Sequence, residues 1–221
     1  MHKLIKGICL MLLFLLPTVA AHATVFDFKA MAEAGGSHGE SAWTTLSVSG
    51  TGFTLSITAT DTGNAAYAYL DSGGAGLGVC GAVIDPAQAN KVTNSSANLC
   101  DPSSDDNVTT GEFLTLIFSQ DVIIKRIWFN NNHDGDQSLL GDKIDIGGSA
   151  YTFTNGGALT DSFTLSSYLV AANTAFLLAN NNEEFYLSKM DVEAVPEPAS
   201  LALAVLGLAG LGLSARRRRI D

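Results

Sequence analysis

The chain has 221 residues, 47% of them hydrophobic and only 15% charged, with a formal net charge of −10. The apolar fraction excludes a disordered chain, and the length allows one domain or two small ones. The acidity speaks against a nucleic-acid partner, because phosphate binding needs Lys and Arg clustered on the folded domain.

Residues 1–23 have the three parts of a secretory signal peptide. Lys3 and Lys6 form a basic n-region, Ile8 to Leu16 is an unbroken apolar run closed by Pro17, and Ala21-His22-Ala23 places small residues at −3 and −1. Thr24 is the expected mature N-terminus. The alternative, a retained transmembrane anchor, is disfavoured because the run is short for a bilayer and a good cleavage site follows it.

Residues 24–194 form the expected extracellular domain. They hold six basic and twenty acidic residues, so the domain is near −14, which favours solubility outside the cell and an affinity for divalent cations. Strand signals dominate it. Phe53, Leu55, Ile57 and Ala59 alternate with Thr54, Ser56, Thr58 and Thr60, a period of two with one apolar and one hydroxyl face. Phe113–Phe118 and Val122–Phe129 are β-branched and aromatic runs joined by Ser119-Gln120-Asp121, a hairpin-length link. Met190, Val192 and Ala194 alternate with Lys189, Asp191 and Glu193. Shorter strands are expected at 25–28, 43–48, 65–70, 143–146 and 151–154. The stretch 162–180 is ambiguous and is the one place where a helix fits. Gly, Asn, Asp and Ser punctuate the rest. The fold class expected is all-β, an antiparallel sandwich or jelly roll.

Three cysteines occur. Cys9 lies in the leader, and Cys80 with Cys100 remain as an even pair in an oxidising compartment, so a disulfide is expected between them. Closing about 20 residues is worth roughly 3 kcal/mol in the chain-entropy model. A metal or catalytic thiol lacks a nearby His.

Two motif matches carry no chemistry. Gly35-Gly36-Ser37-His38-Gly39 fits the G-x-S-x-G nucleophile elbow, but the elbow needs a strand before it and a helix after it. Gly76-Leu77-Gly78-Val79-Cys80-Gly81 fits G-x-G-x-x-G, but a dinucleotide site needs a helix starting there, and Pro86 and the disulfide oppose one.

The segment Asn130-Asn131-Asn132-His133-Asp134-Gly135-Asp136 leaves two readings open. Oxygen side chains at Asn130, Asn132, Asp134 and Asp136, with Gly135 for a sharp turn, have the spacing of calcium loops. The twelfth position is Gly141 rather than Glu, so it is not an EF-hand, and Asp142, or Asp105 and Asp106, would have to complete a shell. The plainer reading is a polar turn that ends the Val122–Phe129 strand. No cofactor is certain, and calcium is the candidate. Catalysis has little support, because the domain's two histidines, His38 and His133, lie far apart in the chain; paired carboxylates for glycoside hydrolysis cannot be seen in a sequence.

Residues 195–221 carry a second address. Val195-Pro196-Glu197-Pro198 precedes Ala199-Ser200, then Leu201–Leu213 is wholly apolar or Gly, and Arg216-Arg217-Arg218-Arg219 closes the segment. Ala199 to Ala215 would span about 26 Å as a helix, near the lower limit for crossing a bilayer. The arginines would hold that end in the cytoplasm and leave the domain outside. The prolines favour extended backbone and would present Glu197 on a stiff strand above the membrane.

Pro196-Glu197-Pro198, a short apolar helix and an Arg cluster, in this order, resemble the PEP-CTERM sorting signal. The resemblance implies a Gram-negative bacterial protein exported through the inner membrane to the cell envelope, surface or extracellular matrix. It implies exosortase, a membrane-embedded transpeptidase-like enzyme, as partner, and association with exopolysaccharide. The Gly76–Val79 segment is similar to one in the passenger domains of some PEP-CTERM proteins, followed there by an acidic stretch and a Glu-x-Leu-x-Leu-x-Phe-like strand. Asp105-Asp106-Asn107 and Glu112–Phe118 approximate these here. The expected function is a non-enzymatic, exosortase-sorted surface or matrix protein. The alternatives are a calcium-dependent carbohydrate-binding module and a secreted glycan hydrolase.

Overall fold

The computed structural model describes residues 23–130, 140–153, 161–165 and 168–196. The chain divides into two units, a β-domain spanning His22–Ala194 and the pair of ends Met1–Ala21 with Val195–Asp221.

Fourteen strands run through the described residues of the β-domain, all antiparallel: β1 Ala23–Asp27, β2 Ser41–Trp43, β3 Leu46–Ser49, β4 Thr54–Asp61, β5 Asn64–Asp71, β6 Gly76–Cys80, β7 Glu112–Phe118, β8 Val122–Asn130, β9 Lys143–Ile146, β10 Ser149–Thr152, β11 Asp161–Phe163, β12 Tyr168–Val170, β13 Ala175–Asn180 and β14 Tyr186–Ala194. One short helix, α1 Phe28–Ala32, follows β1, and a 3-10 turn occupies Pro86–Gln88. The expected all-β class is observed, as one sheet that curls upon itself.

The curl runs through β5. Its first three residues pair with β4, and Tyr67–Asp71 pair with β6. One half of the sheet is β10-β9-β13-β7-β4, with β3 beside β4; the other is β6-β14-β8, with β2, β1, β11 and β12 added. The alternation seen in the sequence puts Leu55, Ile57 and Ala59 of β4 and Leu114, Leu116 and Phe118 of β7 inward. They share a single core with Ile124, Ile127 and Phe129 of β8 and Leu187, Met190 and Val192 of β14. Phe53 joins the halves, edge-on to Phe26 of β1 at 5.9 Å and tilted against Phe118 of β7.

Several local expectations are corrected. β7 and β8 do not form a hairpin: β7 pairs with β4 and β13, and β8 with β14, β11 and β12. Ser119-Gln120-Asp121 instead crosses between the halves. Both flanking strands bury a full apolar face, and lining opposite walls of the core satisfies both. Ser119 is tied to Thr54 in both directions, and Asp121 Oδ1 accepts from Ala172 N, which fix the crossing. The expected strand 43–48 breaks into β2 and β3, because Thr44 N and Oγ1 both donate to Asn90 Oδ1 and the chain there switches from β5 to β4. The ambiguous stretch 162–180 holds β11, β12 and β13 and no described helix. The expected strand 25–28 ends one residue early, since Asp27 Oδ1 accepts from Ala30 N at 3.0 Å and caps α1.

β8 and β14 carry the bulges that matter for the outer face. The register steps past Ser188 on β14 and past Lys125 on β8. Lys125-Arg126 breaks the apolar alternation of β8, and the extra residue restores its phase, so that Ile124 and Ile127 are both buried.

Candidate functional site

The outer face of the β6-β14-β8 half has a covered end and an open end. At the covered end, the segment between β6 and β7 folds back over β6. Leu77 and Val79 point to the core, while a Cβ at Gly78 would overlap the carbonyl oxygen of Asp106. Val79 N donates to Asn107 O at 3.2 Å, so the backbone of the covering segment lies directly on the strand. The G-x-G-x-x-G match is therefore a buried strand, and its glycines make room for backbone. The G-x-S-x-G match lies on the loop between α1 and β2, the reverse of the elbow's order. Ser37 Oγ bonds His38 Nδ1 at 2.8 Å, and the His38 ring sits edge-on to Trp43; burial lowers the pKa of His38.

Polar side chains seal the cover. Tyr69 Oη donates to Glu40 Oε1 at 2.6 Å, and Ser72 Oγ donates to Glu40 Oε2 at 2.5 Å. Leu99 N donates back to Tyr69 Oη, and Tyr186 Oη donates to Asp106 Oδ1 at 2.6 Å. Burial, followed by the Glu40 bond, pushes the Tyr69 phenol well above its ordinary value. Cys80, at the end of β6, forms a disulfide with Cys100, as expected, and the two pack with Ala42 and Tyr69 in a small cluster outside the main core.

Three carboxylates gather at the rim of this end. Gly81 N donates to Asp105 Oδ2, and a Cβ on Gly81 would lie 3.0 Å from a carboxyl oxygen of Asp105 and of Asp61. Glu112, opposite Asp61 across β4 and β7, accepts from Thr109 N at 2.6 Å and Thr109 Oγ1 at 2.9 Å. Burial raises its pKa to about 7 against the pull of the Thr109 bonds, and the charges of Asp105 and Asp61 add to the rise. Among the described residues, no group of three or more His, Cys, Asp or Glu is placed to hold a metal ion.

The open end lies where β1, β14 and β8 run side by side. Asp27 faces Lys189, which faces Trp128. These residues, with Lys29 and Glu33 of the α1 segment, line an open groove of about 550 Å³. Lys189 Nζ pairs with Asp27 Oδ2 at 2.6 Å, and Glu33 Oε1 accepts from Gly74 N at 2.9 Å. The Arg126 guanidinium lies over the half-buried Trp128 ring, 5.2 Å from its centroid, and Lys125 pairs with Glu193 at 2.8 Å. In the sequence Trp128 is visible only as part of a strand; its one signal is the Lys125-Arg126 interruption of an apolar run.

Of the expected calcium ligands, Asn130 ends β8 with its side chain buried, its amide nitrogen donating to Gly74 O at 2.5 Å and Ala75 O at 2.9 Å. Asn132, Asp134 and Asp136 lie outside the described residues, and Asp106 and Asp105 are held by Tyr186 and Gly81. Glu197, Pro198 and Arg216–Arg219 also lie outside the described residues, while Pro196 follows the end of β14 and is exposed. Among the described residues, no helix is long and apolar enough to cross a membrane.

No curated protein and no solved structure matches the chain. Residues 194–219, starting at the last residue of β14, match the family described as the PEP-CTERM protein-sorting motif. The motif implies an exosortase-processed protein exported to the cell envelope or surface of a Gram-negative bacterium. The chain thus carries a PEP-CTERM sorting motif, joined directly to the last strand of a curled antiparallel β-domain.

Proposed function

We propose that this is a surface or matrix protein without catalytic activity, anchored briefly by the apolar segment Leu201–Leu213, released by exosortase, and associated with exopolysaccharide through its β-domain. The observation that carries the reading is the contrast between the two ends of the outer face. The Trp128 groove is open and aromatic, a surface against which a sugar ring can stack. The carboxyl group raised toward neutral pH, Glu112, is only 2% exposed, which gives a glycan no route to it and weighs against hydrolysis.

The test is fractionation of cells producing the wild type or Glu197→Ala. The wild type is expected in the exopolysaccharide fraction with a trimmed tail, and the variant in the membrane fraction with the tail uncut. A variant trimmed and released like the wild type removes the exosortase step from the account. A trimmed wild type free of polysaccharide removes the association.

A further inference from the structure

We infer that the groove beside Trp128 is a binding site for an anionic polysaccharide, one whose pyranose units carry carboxylates. The inference rests on the proposed glycan association and specifies its ligand and its location.

Charge placement carries the argument. The domain is near −14 and holds six cations, Lys29, Lys91, Lys125, Arg126, Lys143 and Lys189. Four of them lie on or beside the outer face of β8 and β14: Lys125 and Arg126 on β8, Lys189 on β14, and Lys29 on α1 at the groove. Four of the domain's twenty carboxylates, Asp27, Glu33, Asp191 and Glu193, share this face, so its formal charges balance. The rest of the domain carries the net negative charge, and a polyanion is repelled least here.

The carboxylates of the same face are already engaged or partly withdrawn. Asp27 is paired with Lys189 and Glu193 with Lys125, and Glu33 accepts a backbone N–H. Asp191, the register partner of Arg126, keeps Oδ1 buried. Lys29 and Arg126 have no carboxylate partner among the described residues, and Arg126 is exposed. The face therefore presents one guanidinium over the Trp128 ring and one ammonium in the groove that the ring lines. Trp128 offers a flat apolar surface for a sugar ring, and the two cations sit where the carboxylates of such a polymer would hydrogen-bond. A neutral glycan would use the ring alone and form no ion pair with either cation. The groove volume is within the range of about 300–1,000 Å³ common to small-ligand sites.

The experiment is calorimetric titration of the full chain, purified in mild detergent with EDTA present, with polygalacturonate oligomers and with the same oligomers methyl-esterified. EDTA removes calcium bridging, and esterification removes the charge while keeping the sugar. The acid form is expected to bind at least about fivefold more tightly than the ester, with affinity falling as NaCl rises. Trp128→Ala and Arg126→Gln are each expected to weaken it at least about fivefold, while Lys91→Gln leaves it unchanged. Arg126 is exposed, so that variant keeps the test valid if Trp128→Ala fails to fold. Equal binding of acid and ester overturns the anionic assignment and leaves glycan association standing. Wild-type affinity in the folded Trp128 and Arg126 variants overturns the location. No binding to either form overturns this inference, and additional silence toward dextran and cellohexaose overturns the association itself.

Discussion

Two ends of one sheet face solve the same problem in opposite ways. Where β6 is covered, its outward side is stripped to glycine and backbone lies on backbone, with Glu40, Tyr69, Asp106 and Tyr186 bonded in pairs beneath the cover. Where β14, β8 and β1 are open, the same side carries long charged side chains in pairs and one tryptophan. The covered end spends its polar groups on holding the fold, so their removal is costly and a ligand cannot reach them. The open end contributes little to stability through its solvent-exposed pairs and is free to bind.

The sharpest way to break the comparison is Gly78→Ala. The added methyl meets the Asp106 carbonyl, which is backbone and cannot rotate away. Destabilisation of about 3 kcal/mol or more is expected in denaturant unfolding, the upper end of overpacking costs. A loss below about 1 kcal/mol would mean that the cover is loosely held. Next comes the disulfide. Cys80→Ala/Cys100→Ala is expected to cost about 3 kcal/mol, from reopening a loop with a sequence separation of 20, while the far-ultraviolet spectrum stays that of a β-protein. The main core contains neither cysteine, so loss of all β-structure would place the bond inside the folding core rather than outside it.

The smallest effect concerns Glu112. Its folded pKa of about 7 lies above the ordinary 4.5, so the folded state holds the proton more tightly than the unfolded chain does. The stability from this group is therefore fully present below about pH 4.5, falls as pH rises toward 7, and levels off above that. Gln keeps an oxygen to accept from Thr109 and has no charge to desolvate. Glu112→Gln is expected to flatten this part of the profile and to raise Tm by a few degrees above about pH 7, measured by calorimetry across roughly pH 4 to 8. An unchanged slope would place the titrating group elsewhere.

Strands with a clear period of two are legible from the residues alone, as at Leu55-Ile57-Ala59 and Leu114-Leu116-Phe118. β6 is not, because a strand buried on both sides has no polar face to alternate with, and two of its five residues are glycines. α1 is five residues long, too short for a helical period, although Asp27 three residues ahead of Ala30 is a cap signal. The link 119–121 reads as a hairpin because its length says nothing of which half of the sheet the next strand joins. The groove is illegible for a related reason. Its residues come from 27–33, from 128 and from 188–189, and meet only because β1 and β8 flank β14. The disulfide is legible by simple parity of cysteines, and the sorting motif by the order of its parts within one continuous segment.

The central claim is that a sorted, processed β-domain reaches the cell surface, and intact-mass spectrometry of the protein recovered from cell surface and medium tests it most directly. The account expects a chain that begins at Thr24 and ends within residues 194–219, without Arg216–Arg219. Surface or released protein that still carries the four arginines would contradict it.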